Sequence, residues 1–110
     1  MTNYHMKLYK LVVYASVANA DQIRELLGKL GAGKIGNYDY TSFSVTGTGR
    51  FRPLKGANPT IGSVGKLEEV PEERIETIVS GEILNDVVAK VRAAHPYEEP
   101  AIDACELKGL

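Results

Sequence analysis

Residues 7–14 almost all suit a β-strand. Leu8, Tyr9, Leu11, Val12 and Val13 put apolar side chains on both faces of the alternation, which predicts a central strand buried on both sides. The period then changes. Ile23, Leu26, Leu27 and Leu30 recur at i, i+3, i+4 and i+7, the stripe of an amphipathic helix; Asn19 and Gln22 form a capping box at its start, and Gly31 closes it. Residues 38–45 alternate again, with Thr41, Phe43 and Val45 on one side and Tyr40, Ser42 and Ser44 on the other. Residues 46–64 carry Gly47, Gly49, Gly56, Gly62, Pro53 and Pro59 and read as a hairpin excursion with an exposed tip. Residues 66–79 predict a long strand interrupted at Pro71, which fits only an edge or a bulge. Ser80 is the expected cap of a second helix bearing Leu84, Val87, Val88 and Val91. Pro96 stops that helix, and residues 101–107 form the last strand.

The order strand, helix, strand, strand, helix, strand is the ferredoxin-like split βαβ arrangement (βαββαβ). It predicts an α+β domain with an antiparallel four-stranded sheet, two helices on one face, and a long hairpin between the second and third strands. The other sheet face is then bare. Tyr, Leu, Val and Phe there make a larger apolar patch than soluble monomers usually leave open, so self-association is expected.

With 110 residues, a single domain spanning 1–110 is expected. The formal charge of -1 provides no global attraction to nucleic acid or anionic lipid, so neither is expected as a partner. The longest apolar runs, such as Leu11-Val12-Val13-Tyr14-Ala15, fall far short of the ~20 residues of a membrane span. The opening Met1-Thr2-Asn3-Tyr4-His5-Met6 lacks the features of a secretory signal, which makes the cytoplasm the expected location. Cys105 is the only cysteine, excluding an intrachain disulfide and a Cys-rich zinc site; a small buried packing thiol is expected there.

Two glycine motifs invite a nucleotide reading. Gly31-Ala32-Gly33-Lys34-Ile35-Gly36 matches GxGxxG, and residues 28–34 match the GxxxxGK part of a phosphate loop. Each motif works only where a loop leaves a strand and opens a helix, so that free amides and the positive dipole end face the phosphate. Here the loop leaves a helix, and Ile35 stands where Ser or Thr would hold magnesium. A helix C-cap followed by a tight turn accounts for these glycines.

Candidate chemistry lies in two places. Arg50, Arg52 and Lys55 sit among Gly47, Gly49 and Gly56, a setting suited to an anionic group; the alternative is solvated charge paired with Glu68, Glu69, Glu72 or Glu73. His95-Pro96-Tyr97-Glu98-Glu99-Pro100 concentrates an imidazole, a phenol and two carboxylates where a helix must stop. His95, Glu98 and Glu99, with Asp103 as a further candidate, could hold a weakly bound divalent metal ion. The alternative is that His95 and Tyr97 hydrogen-bond nearby backbone while Glu98 and Glu99 face water. Ser42, Ser44, Ser63 and Cys105 lack the context of a nucleophilic triad.

Five stretches taken together carry a family resemblance: Gly31-Ala32-Gly33-Lys34-Ile35-Gly36-Asn37-Tyr38, residues 46–62 (TGTGRFRPLKGANPTIG), residues 64–68 (VGKLE), Arg74-Ile75-Glu76, and His95-Pro96-Tyr97-Glu98-Glu99-Pro100-Ala101. With them the chain resembles the small ferredoxin-like domain inserted in YqfO/YbgI-type members of the NGG-interacting-factor family, here as a stand-alone unit. The His-Pro-Tyr-Glu segment is also similar to one in the CutA ion-tolerance proteins. Both groups resemble the trimeric PII class in architecture, so the resemblance implies a homotrimer. The dinuclear metal centre of full-length relatives belongs to flanking domains and is not implied for this chain. What carries over is a surface: residues 50–58 of the hairpin, among them Arg50, Arg52, Lys55 and Asn58, with the segment 95–99, among them His95, Tyr97, Glu98 and Glu99.

The expectation is a small cytoplasmic PII/CutA-like trimer that binds a small ligand, a metal ion or a protein partner in clefts between subunits. Two other readings stay open. One is a metal-assisted hydrolase with His95 or Glu98 as general base; the other is a structural oligomerisation module for a separate catalytic polypeptide.

Overall fold

A computed structural model describes residues 7–108. The first six residues, which bear on the secretory-signal expectation, lie outside the described residues, as do 109 and 110. The elements run β1 (Leu8–Ser16), α1 (Val17–Lys29), β2 (Phe43–Phe51), β3 (Glu68–Ser80), α2 (Leu84–Ala94) and β4 (Ile102–Leu107). They make one four-stranded sheet in the order β2-β3-β1-β4, with every neighbouring pair antiparallel. This is the α+β ferredoxin-like topology expected from the sequence.

Leu11, Val13 and Ala15 of β1 lie on one face with Ile75 and Val79 of β3, and Val13 stands directly opposite Ile75. Ala20, Ile23 and Leu27 from α1 and Val87 and Val91 from α2 close over them, so both helices pack on that face. These spacings are the i, i+3, i+4 stripe at work. Fully burying each of the Leu, Ile and Val side chains among them contributes about 1.5–3 kcal/mol. Thr77 is the polar member of this layer, and its hydroxyl donates to the Thr41 carbonyl at 2.8 Å.

The opposite face carries Leu8, Lys10, Val12 and Tyr14 of β1 beside Arg74, Glu76 and Ile78 of β3 and Phe43 and Val45 of β2. Phe43 is 66% exposed and Val45 52%. The charges on this face pair among themselves. Arg74 Nε donates to Glu76 Oε2 at 2.8 Å, Arg74 Nη1 donates to Tyr14 Oη at 2.6 Å, and Lys10 Nζ lies 3.8 Å from Glu76. The bond to Arg74 holds the Glu76 carboxyl below its ordinary range, and the same bond, with Tyr14, raises Arg74.

Several boundaries differ from expectation. Helix α1 starts at Val17 with Ser16 in the N-cap position. There is no side-chain cap, and Asn19 instead donates to Ser16 Oγ at 2.8 Å, because β1 runs into α1 without a loop. Strand β2 begins at Phe43, not Tyr38, since Tyr38 closes a tight bridge with Ile35 and Tyr40 adopts φ 57. It continues through Gly47 and Gly49 to Phe51, so the first third of the expected excursion is strand. Strand β3 is unbroken at Pro71, which stands opposite Thr48. The pairing with β1 ends at Glu72, so beyond it one side of β3 is open and the missing N–H orphans nothing.

Ser80 ends β3 and does not cap α2. Its hydroxyl accepts from the Glu82 N–H at 3.2 Å and its carbonyl from the Ile83 N–H at 3.1 Å, making a turn before the helix. Cys105 is exposed, not a buried thiol: β4 is an edge strand, and Cys105 stands opposite Lys10 on the bare face. The glycine-rich turn after α1 behaves as a C-cap. Gly31 has φ 102, Gly33 N–H donates to the Ile78 carbonyl at 2.7 Å and Ile35 N–H to the Tyr38 carbonyl at 2.9 Å, so these amides are not presented to a phosphate. No helix among the described residues is long and apolar enough to cross a membrane.

Candidate functional site: a cleft between the hairpin loop and the segment after α2

Pro96 forbids a further helical turn, and His95 leaves α2 in an extended conformation, φ -71 and ψ 134. That turns its ring inward, where it is 6% exposed. Nε2 lies 2.7 Å from the Tyr14 carbonyl, and Nδ1 accepts the Tyr97 N–H at 3.1 Å. These two bonds require the neutral tautomer with its proton on Nε2. The ring also rests against Tyr97, with centroids 5.0 Å apart. His95 thus fastens the segment after α2 to the end of β1.

Tyr97 is aimed at β3. Its hydroxyl donates to Glu72 Oε2 at 3.0 Å, and burial, followed by this bond and the charge of Glu72, pushes the phenol up to about 12. Gly49 of β2 lies beside Glu72, and a Cβ there would collide with the Glu72 carboxylate, so glycine lets the carboxylate cross β2.

The loop between β2 and β3 folds back onto this segment. Thr60 Oγ1 donates to the Pro96 carbonyl at 2.7 Å and the Asn58 N–H to Glu98 Oε1 at 3.0 Å. The loop is closed on itself by Gly65 N–H to the Pro53 carbonyl at 2.7 Å. Between loop and segment lies a cavity of about 490 Å³. Its apolar wall includes Tyr14, Phe51, Ala57, Pro59 and Ile61. Its polar groups come from Arg50, Arg52, Glu72, Tyr97, Glu98 and Glu99.

The expected residues divide. Arg52, Tyr97, Glu98 and Glu99 line the cavity. Arg52 makes no ion pair among the described residues, whereas Arg50 also lines it but is bonded through Nε to Glu69 at 3.0 Å. Asn58 does not line the cavity, and its backbone N–H is spent on Glu98. Lys55 is exposed and does not line the cavity, and Asp103 stands on β4 opposite Val12, outside the lining. His95 lies behind the wall as a support. With both ring nitrogens engaged it has no lone pair to give a metal, and no group of three His, Cys, Asp or Glu side chains is placed to hold one among the described residues. Within a single chain these residues therefore do not fit a tightly held divalent ion.

Tyr14, Phe51, Thr60 and Glu72 belong to the site; the sequence included Phe51 only within the hairpin stretch 50–58 and Glu72 only as a counter-charge, and did not single out Tyr14 or Thr60. Only the alternation of β1 and β3, which puts Tyr14 and Glu72 on the bare face, could have pointed to two of them.

No family model matches the chain. It is 55% identical over 96 residues to a protein named GTP cyclohydrolase 1 type 2 homolog from Halalkalibacterium halodurans, covering 87% of this chain and 26% of that protein. The protein of the same name from Bacillus subtilis is 45% identical over 100 residues, covering 91% and 27%. The chain thus spans about a quarter of the length of the curated relatives it matches. Among solved structures, a Bacillus cereus protein related to NIF3 superposes with a TM-score of 0.81 at 42% identity, covering 94% of this chain and 26% of that one. The periplasmic divalent cation tolerance protein CutA from Archaeoglobus fulgidus superposes with a TM-score of 0.66 at 21% identity, covering 94% and 87%, a likeness of fold.

Proposed function

Starting from a chain that is homologous to one domain-sized quarter of the NIF3-related proteins, we propose that it is a small cytoplasmic binding or regulatory protein that takes a small ligand in the cleft and assembles as a homotrimer. The observation that carries this reading is the fastening of the hairpin loop onto the segment after α2, through Thr60, Asn58 and the Tyr97–Glu72 pair. It encloses apolar walls and a few polar groups in a volume typical of small-molecule sites, which run to roughly 300–1,000 Å³. The half-exposed Phe43 and Val45 on the bare sheet face support self-association. So does the shared fold with CutA.

The geometry removes His95 as a general base, which needs a free lone pair near the reacting proton, because both of its ring nitrogens are used on backbone groups. Of the two expected bases that leaves Glu98, which is bonded to the Asn58 N–H through one oxygen. The relatives' cyclohydrolase name belongs to chains about four times as long and is not extended to this one. A divalent ion is the second reading, favoured by the adjacent carboxylates Glu98 and Glu99, the latter without a bonding partner among the described residues, and by the name of the CutA neighbour. Further ligands would have to come from a neighbouring copy.

Light scattering of the purified chain should give three chain masses. Titration calorimetry with small organic ligands and with Mn²⁺ and Zn²⁺ should show saturable heat that is lost in Glu98→Gln/Glu99→Gln. A monomer that binds none of these probes would remove the proposal.

A further inference from the structure

We propose that the cleft selects a compact organic cation, a primary amine on an aromatic or branched apolar body, and rejects phosphate and free carboxylates. This rests on the reading of the cleft as a ligand site and names its ligand class.

The charges that a guest meets are unbalanced. Glu72, Glu98 and Glu99 line the cavity, against Arg50 and Arg52. Arg50 is already bonded to Glu69, which is outside the lining, so three carboxylates face one uncommitted guanidinium. An entering anion would meet net repulsion, and an ammonium would meet attraction that grows as water is displaced. Of the carboxylates, Glu72 is engaged by the Tyr97 hydroxyl and Glu98 by the Asn58 N–H, each through one oxygen, while Glu99 has no bonding partner among the described residues. Acceptors for an N⁺–H donor are therefore free where the cavity needs them.

The walls agree with the charge. Tyr14, Phe51 and Tyr97 bring three aromatic rings to the lining, and ring faces attract cations within about 6 Å of the centroid. Ala57, Pro59 and Ile61 offer a dry surface to the rest of the guest. A volume of about 490 Å³ is far larger than a bare ion requires and suits an amine with an apolar body.

Three probes with one body and different charge make the test, applied to the full chain by calorimetry: phenethylamine, phenylacetate and L-phenylalanine, with inorganic phosphate and MnCl₂ beside them. Phenethylamine should bind at least about tenfold tighter than phenylacetate, and phosphate should not bind. Glu98→Gln/Glu99→Gln should remove most of the amine affinity; Gln retains an acceptor for the Asn58 N–H, so the loop stays fastened, as circular dichroism would verify. Arg52→Gln should leave phenethylamine binding intact or strengthen it. Phenylacetate or phosphate binding more tightly than the amine would overturn the proposal. Binding of Mn²⁺ alone would overturn it while leaving the cleft as a site, and binding of none of the probes would remove both.

Discussion

Tyr97 is the residue at which burial and charge act most directly together. Its phenol is pushed up to about 12 by burial and by Glu72, against an ordinary value near 10. A phenol raised on folding gives stability that is fully present below about pH 10 and lost as pH climbs toward 12, where the unfolded chain ionises and the folded one resists. Of the six tyrosines, Tyr97 should be the last component in a tyrosinate absorbance titration, and Tyr97→Phe should delete that component and flatten the stability loss between about pH 10 and 12. An unchanged titration would mean that Glu72 and the cavity wall do not confine the ring. His95 permits a sharper test. His95→Ala leaves the Tyr14 carbonyl and the Tyr97 N–H without partners, and two such groups in a buried setting should lower unfolding free energy by about 2–4 kcal/mol in denaturant titration. A metal ligand on the surface would show almost no such loss. The sequence pointed to the His-Pro-Tyr-Glu-Glu-Pro segment because two prolines force it off the helix. It did not reveal what the imidazole does, since the Tyr14 carbonyl is 81 residues away and the Glu72 partner of Tyr97 is 25 away. Pairings at that range are set by the sheet register, which no local pattern contains.

At the level of elements, β1, the core stripes of both helices and the stop at Pro96 were legible because each depends on periodicity or on a proline within a few residues. The β2 boundaries were not. Glycines ordinarily signal a turn, yet Gly47 and Gly49 lie in a strand whose partner β3 supplies the hydrogen bonds, and Gly49 is there to let Glu72 cross. Residues 38–42 alternate as a strand would, but the bridge from Ile35 to Tyr38 and the positive φ of Tyr40 keep them out of the sheet. The loop after β2 is fastened at its two contact points rather than buried, which makes it a local opening unit. Thr60→Ala removes the bond to the Pro96 carbonyl. A hydrogen bond worth about 1 kcal/mol corresponds to an opening equilibrium shifted about fivefold, so exchange of the Asn58 N–H should accelerate by that factor while amides of β1 keep their protection. Equal acceleration in β1 would mean that loop and sheet unfold together.

For the whole molecule the decisive feature is asymmetry between the two sheet faces. One is sealed by α1 and α2 over Leu11, Val13, Ile75 and Val79. The other mixes apolar groups with the Lys10–Glu76–Arg74–Tyr14 set, in which Lys10 and Arg74 share the Glu76 carboxylate and Arg74 also bonds Tyr14, so each charged group of the set has a partner within the face. What remains unsatisfied there is hydrophobic, chiefly Phe43 and Val45 at the β2 edge. An interface through this edge should therefore be driven by apolar burial and be insensitive to salt, because screening weakens exposed charge pairs and leaves burial nearly untouched. Val45→Asp places a carboxylate directly opposite Arg74 on β3, a change the single chain tolerates through a cross-strand ion pair. The same carboxylate would be desolvated without gain in an assembly. Light scattering should therefore find the wild-type chain associated in both 0.05 and 1 M salt and Val45→Asp as single chains with an unchanged circular dichroism spectrum. Association that dissolves in salt, or that survives Val45→Asp, would transfer the interface from the apolar β2 edge to the charged strip of the same face.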